Sequence, residues 1–201
     1  MTIAWITGGG TGIGRALADR LLREGNKVVI SGRRENILTQ TAKELSAFPG
    51  GGEILAMAGD ASDPFHSQAV VSEIKRRWGV VDLLVNNAGS NPTKSIFDTT
   101  FEEYSKSFES NCLSSINCTT AVLPDMLKAN RGSIVNISSI YGRWASSSSA
   151  SYSVGKYAVT GYTDALRQGL VGKSVHLLCV FPGFIQTDMT MPFVVPGMSG
   201  S

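Results

Sequence analysis

Six short apolar runs, separated by longer stretches in which apolar residues recur every three or four positions, set the pattern of this chain. The runs are IAWIT at 3–7, KVVIS at 27–31, EILAMA at 53–58, VDLLVN at 81–86, SIVNIS at 133–138 and SVHLLCVF at 174–181. Several are apolar almost throughout, as a strand is when helices cover both of its faces. Between them, Ile13, Ala16, Leu17 and Leu21, then Ile37, Leu38, Ala42 and Leu45, fall on single helical faces. SDPF at 62–65 places Asp63 as an N-cap and Pro64 at the first helical position, opening a helix that runs to about Trp78. The longest helices are expected from Tyr104 to about Asn130, with Pro124 ending or kinking the later part, and from Tyr152 to about Val171. Alternation of this kind predicts an α/β fold: a doubly wound parallel sheet with helices on both faces.

A length of 201 residues suits one domain, 1–201, with a sizeable core. Composition changes this picture only by exclusion. A net charge of +2 with 17% charged residues offers no basic field for nucleic acid. The N-terminus lacks a positive region followed by an apolar core, and no run approaches the roughly 18 apolar residues of a membrane span. A soluble, cytoplasmic protein without a membrane partner is therefore expected. Cys112, Cys118 and Cys179 are odd in number and form no CxxC pair, which fits reduced thiols. His66 and His176 lie far apart without ligand-spaced neighbours, so no metal site is expected.

The first strand runs directly into TGGGTGIGRAL, Thr7 to Leu17. A strand, a glycine turn and a helix bring backbone N–H groups and the positive end of a helix dipole against phosphate, with no β-carbons to hold the ligand away. A P-loop would need Lys and then Ser or Thr after the last glycine, where Arg15 and Ala16 stand. The spacing is TGxxxGxG, with Thr7, Gly8, Gly12 and Gly14. Farther on, YSVGK sets Tyr152 and Lys156 four residues apart, on one face if the segment is helical. A surface pair would look the same. In a site, an ammonium roughly 4 Å from a phenol favours phenolate by up to about 4 kcal/mol at an effective dielectric of about 20, before screening. Lys156 is accordingly expected to lower the Tyr152 pKa.

TGxxxGxG, NNAG at 86–89, a serine at 139 and YxxxK at 152–156 together resemble the short-chain dehydrogenase/reductase family, in its single-domain branch, over residues 3 to about 190. The resemblance implies a Rossmann-like sheet of order 3-2-1-4-5-6. It also implies reversible hydride transfer between nicotinamide C4 and a carbonyl or secondary alcohol carbon. Tyr152 would be the general acid and base, Lys156 its charge partner and a ligand of the nicotinamide ribose, and Ser139 the group that holds the substrate oxygen. Ser139 is preferred to Ser138 because a strand turns only one of them to the cleft and the family spacing to Tyr152 selects 139. Asn111 would be the fourth member, its main-chain carbonyl anchoring a water on a proton route from the lysine. Cys112 beside it is read as packing.

The same resemblance assigns cofactor contacts to Gly8, Gly10, Thr11, Gly12 and Ile13 in the loop, to Tyr152 and Lys156, and to Asp60 and Ala61 at the adenine. Asn87, Ala88 and Gly89 would pass beneath a ribose, and Pro182, Gly183, Ile185 and Thr187 would hold the nicotinamide carboxamide. A turn or capping role is the ordinary alternative for Asp60. After the second strand, Gly32 stands where the NAD enzymes carry an acid, and Arg33 and Arg34 follow, suited to a 2′-phosphate. NADP(H) is the expected cofactor, and a small-molecule carbonyl or alcohol the substrate. An NAD-linked alcohol dehydrogenase is opposed by the arginine pair. A non-catalytic NADP(H) sensor is opposed by the retained tyrosine and lysine. Tyr141, Arg143, Trp144, Phe184, Met189 and Met191 form the expected substrate wall, where Arg143 suits an anionic group. Resembling enzymes continue past TDM at 187–189 with a substrate-covering helix, another helix and a seventh strand, whereas this chain closes on PFVVPGMSGS. The comparison implies a sheet without its seventh strand, a truncated or absent lid and a sixth strand at the edge. The family pairs subunits through its two long helices, so a homodimer or homotetramer is expected.

Overall fold

The first apolar run becomes strand β1 (Ile3–Thr7), buried along its whole length. Ile3 and Trp5 enter one core while Ala4 and Ile6 enter another, so both faces of the strand need a helical cover. The computed structural model describes residues 1–47 and 51–187. Within them follow β2 (Lys27–Gly32), β3 (Ile54–Ala58), β4 (Leu83–Asn86), β5 (Gly132–Ile137) and β6 (Val175–Val180). The six pair in parallel in the order β3-β2-β1-β4-β5-β6, the order expected from the sequence. β4 starts two residues inside its apolar run, yet Asp82 still joins the neighbouring strands. Its N–H donates to the Ile3 carbonyl (2.8 Å), its carbonyl accepts the Ser133 N–H (2.8 Å), and its carboxylate accepts the Ile3 N–H (3.0 Å) and pairs with Arg131 (2.9 Å).

Helices α1 (Gly12–Arg23) and α2 (Glu35–Leu45) cover one face through Ala18, Leu22, Leu38 and Leu45. The buried line of α1 is Gly14, Ala18 and Leu22, not the expected Ile13, Ala16, Leu17 and Leu21; Ala16 is exposed and the other three are half-buried. The cause lies at its first turn. A β-carbon on Gly14 would stand 2.5 Å from the Gly8 carbonyl oxygen, so the absence of a side chain there lets the first turn close on the loop and turns Ala18 and Leu22 into the core. Helix α3 (Pro64–Arg77) begins as expected, the Asp63 carboxylate accepting the Phe65 N–H at 2.9 Å.

The next helix starts three residues before Tyr104. Thr100 and Glu103 form a reciprocal capping box at the head of α4 (Phe101–Phe108). Glu109–Leu113 then winds as a π-helical turn, and α5 (Ser114–Ala129) completes the rod. Pro124 lies inside α5 rather than ending it; the stop comes at Asn130, whose φ of 52° is left-handed. Helix α6 (Ala150–Gly169) carries Tyr152 and Lys156 in its first two turns. α3 and α5 fill the second core through Val70, Ile74, Val122 and Met126, with Leu166 of α6 against its margin. Among the described residues β6 pairs only with β5, and its Leu178 is exposed. No helix of the described residues is long and apolar enough to cross a membrane.

Candidate active site

In a doubly wound sheet the crevice opens beyond the C-terminal ends of the strands, where the chain order reverses beside β1. Here that place is built largely on glycine. Gly8 (φ 63°) and Gly12 (φ 52°) hold left-handed conformations that favour glycine. The loop is bolted to the segment after β4. The Thr7 hydroxyl accepts the Asn87 N–H at 3.0 Å and the Ala88 N–H at 2.9 Å, and the Asn87 amide donates to the carbonyls of Thr7 (3.0 Å) and Gly8 (3.2 Å). Thr11, the N-cap of α1, makes no side-chain capping bond, which leaves N–H groups of the first turn facing the cleft. Such a cradle fits a pyrophosphate.

At the end of β2, Arg33 and Arg34 are exposed on the rim, and the Arg34 guanidinium approaches the Thr11 hydroxyl at 3.4 Å. Ser31, fully buried beside them, accepts the indole N–H of Trp5 at 2.9 Å. The Asp60 carboxylate accepts the backbone N–H (2.8 Å) and hydroxyl (2.7 Å) of Ser62 on one oxygen, so a turn role is present. Burial pushes its pKa up, but the two Ser62 bonds, with Arg33 and His66 nearby, outweigh that and hold it below the ordinary carboxylate value.

The opposite wall is made of buried polar side chains. Ser139 and Tyr152 are neighbours, the serine hydroxyl bonding the phenol, while Ser138 turns away to the Lys156 carbonyl (3.1 Å) and the Thr160 hydroxyl (3.1 Å). The alternation at the end of β5 thus separates the two serines as the spacing predicts. Lys156 is buried and donates to the Ile137 carbonyl at 2.8 Å; its ammonium lies 5.7 Å from the centre of the Tyr152 ring. This corrects the expected tuning. Burial drives the phenol pKa above its ordinary value, with the Ser139 bond opposing, and drives the lysine down to about 8. Desolvation acts on both groups and the ammonium is directed at a carbonyl, so no phenolate–ammonium attraction prevails.

Asn111 sits in the π-helical turn, fully buried. Its amide donates to the carbonyls of Ser90 (3.0 Å) and Ser107 (3.0 Å), its main-chain carbonyl accepts the Ser115 hydroxyl (3.3 Å), and its side-chain oxygen has no partner. A β-carbon on Gly89 would stand 2.5 Å from that oxygen and 3.4 Å from the Lys156 nitrogen. Only glycine lets the NNAG segment lie against both.

One cleft of about 510 Å³ joins the two walls, and every residue singled out for cofactor or catalysis borders it, from Gly8, Gly10, Thr11, Gly12 and Ile13 to Pro182, Gly183, Ile185 and Thr187. Arg33, Arg34, Asp60, Ala61, Asn87, Ala88, Gly89, Asn111, Ser139, Tyr152 and Lys156 line it between. Of the expected substrate wall, Tyr141 and Phe184 line the cleft. Arg143 and Trp144 do not: the Arg143 guanidinium lies 4.4 Å from the centre of the Phe181 ring and Trp144 is exposed. Met189 and Met191 lie outside the described residues. Sequence reasoning missed Ser31, Ser90, Asn91, Ser110 and Ser114. Ser90 and Asn91 directly follow NNAG, and Ser110 and Ser114 flank Asn111 at near-helical spacing, so position beside a motif was the available signal.

The family described as short chain dehydrogenase matches residues 2–195. The 3-oxoacyl-[acyl-carrier-protein] reductase FabG of Chlamydia muridarum is 35% identical over 187 residues, 93% of this chain and 75% of that protein. FabG of Escherichia coli is 33% identical over 188 residues, with 94% and 75% covered. Among solved structures, an actinorhodin polyketide ketoreductase variant with NADPH matches with a TM-score of 0.89 at 32% identity, over 96% of this chain and 77% of that one. A short chain dehydrogenase/reductase from Burkholderia phymatum in complex with NAD matches with a TM-score of 0.89 at 29% identity, over 94% and 68%.

Proposed function

The chain belongs to the short-chain dehydrogenase family of nucleotide-binding oxidoreductases, and from that premise we propose that it is an NADP(H)-dependent enzyme reducing ketones reversibly to secondary alcohols. The observation that carries this reading is the shared cleft: a glycine-rich anion cradle at one end, and Ser139, Tyr152 and Lys156 on one wall at the other. A bound nicotinamide supplies the hydride. The chain's residues supply the rest. Backbone N–H groups of Gly10 to Ile13 hold the pyrophosphate, Arg33 and Arg34 the 2′-phosphate, and Asp60 with Ala61 the adenine. Asn87 to Gly89, and Pro182, Gly183, Ile185 and Thr187, confine the ribose and nicotinamide.

Ser139 donates a hydrogen bond to the substrate oxygen and Tyr152 delivers the proton to it. The raised phenol pKa has a direct consequence: at neutral pH Tyr152 is protonated, the state that reduction needs, while alcohol oxidation awaits phenolate at alkaline pH. Lys156, with a pKa of about 8, takes and returns a proton near neutrality and holds the ribose hydroxyls; Asn111 anchors the route to solvent. The FabG and ketoreductase relatives support a carbonyl substrate. A homodimer or homotetramer in the cytoplasm completes the proposal.

Loss of NADPH absorbance against a panel of ketones, with NADH in parallel, tests it. Turnover is expected with NADPH, and Tyr152→Phe should lower kcat by about 10²–10⁴-fold while leaving the NADPH Kd nearly unchanged. NADPH binding without turnover of any ketone would instead indicate a cofactor sensor, and equal efficiency with NADH would remove the arginine pair from cofactor selection.

A further inference from the structure

One corner of the cleft is lined by aromatic rings that neither hold the cofactor nor move a proton. The short 3-10 turn Ile140–Gly142 follows Ser139 directly and is pinned from two sides. The Tyr141 N–H donates to the Ser139 hydroxyl oxygen at 3.1 Å, and the Ile140 N–H donates to the Pro182 carbonyl at 3.0 Å. The second bond draws the segment after β6 against the turn and brings Phe184 to Tyr141. The Tyr141 ring meets Tyr152 edge-on, with centroids 6.1 Å apart and planes at 76°, and meets Phe184 at 6.3 Å and 87°. The row runs from buried Tyr152 to Phe184, which is 69% exposed, and all three rings border the cleft.

We propose that Tyr141 and Phe184 form a specificity corner for a flat apolar arm on the substrate carbonyl, so that aryl ketones are preferred to small polar ones. This rests on the reading of Tyr152 as the proton donor to a carbonyl. A substrate whose oxygen is held by Ser139 and Tyr152 must send one arm along the ring that abuts Tyr152. Edge-on pairs leave ring faces available to a further ring, an arrangement that adds to simple area burial. The charges bordering the cleft lie elsewhere among the described residues: Arg33, Arg34 and Asp60 at the far end, and Lys156 bonded to Ile137. A charged or heavily hydroxylated arm would lose hydration in this corner without a matching partner, whereas an apolar arm gains by burial.

Steady-state reduction of acetophenone and hydroxyacetone by NADPH tests the corner in wild type, Tyr141→Ala, Tyr141→Phe and Phe184→Ala. Wild type should favour acetophenone in kcat/KM by about 30-fold or more. Tyr141→Ala should remove most of that ratio through the KM for acetophenone, Phe184→Ala part of it, and Tyr141→Phe almost none, because the ring does the selecting. Equal losses on both ketones would mean that Tyr141 only steadies Tyr152, and damage by Phe equal to that by Ala would assign the role to the hydroxyl; either result overturns the corner. Saturation-transfer NMR of acetophenone on the NADP⁺-loaded protein reads the corner without turnover. Binding that Tyr141→Ala abolishes, in a protein that reduces neither ketone, supports the corner and discards ketone reduction. Reduction of hydroxyacetone with no binding of or preference for acetophenone does the reverse.

Discussion

The two ends of the cleft achieve their purposes by opposite means. At the glycine loop the chain works by omission: Gly8, Gly12 and Gly14 leave backbone where side chains would stand, and Thr7 and Asn87 lock that backbone through four hydrogen bonds. At Tyr152 and Lys156 it works by burial, removing polar side chains from water until their proton affinities move, the phenol upward and the ammonium downward. The loop at the first end is held by bonds between uncharged groups; the second end stores its chemistry in titration. Geometry should therefore be the vulnerable quantity at one end and protonation at the other.

The sharpest division is expected from Lys156→Met. The folded-state pKa of Lys156, about 8, lies below its ordinary value of 10.5, so the folded protein releases the proton first as pH rises. Below about pH 8 both states hold it and the penalty for burying the cation is complete; between pH 8 and 10.5 the unfolded chain binds more protons and wild type gains stability relative to the variant. Urea unfolding across that window should show the difference shifting by on the order of 3 kcal/mol in favour of wild type. A flat difference would mean that the Ile137 bond alone keeps the charge at its ordinary affinity.

Gly14→Ala probes the other end. Its β-carbon would meet the Gly8 oxygen at 2.5 Å and the Asn87 amide nitrogen at 2.6 Å, both fixed by the loop's own bonds. Destabilisation of about 2 kcal/mol, nearly constant from pH 6 to 9, is expected together with weaker NADPH binding by titration. A pH-dependent loss would blur the contrast. Smallest of the three, Arg33→Ala with Arg34→Ala should weaken NADPH about tenfold at low salt, and less as ionic strength rises, with NADH unaffected. Equal losses for both cofactors would make the pair a general part of the rim.

These contrasts explain what the sequence could disclose. Omission is legible: a glycine announces an absent side chain wherever it stands, so Thr7 to Gly14 and Gly89 could be placed from spacing. The YxxxK interval placed Tyr152 and Lys156 on one helix face, and strand alternation separated Ser139 from Ser138. Direction was not legible. That the Lys156 ammonium turns to the Ile137 carbonyl depends on where β5 ends in space, and that Arg143 stacks on Phe181 depends on β6 arriving beside it. Nor did the apolar period of α1 reveal its buried line, because Gly14, the residue that sets the approach to the sheet, contributes no hydrophobicity.

The π-helical turn at Glu109–Leu113 adds one residue of winding to an otherwise continuous rod. One residue corresponds to about 100° of rotation, so the turn acts as a phase shifter between two helices on a common axis. α4 packs on α6 while α5 packs on α3, and the turn sets the angle between those two faces. Deleting a single residue from this turn would re-clock every side chain upstream, and the rod would be obliged to choose which neighbour to keep.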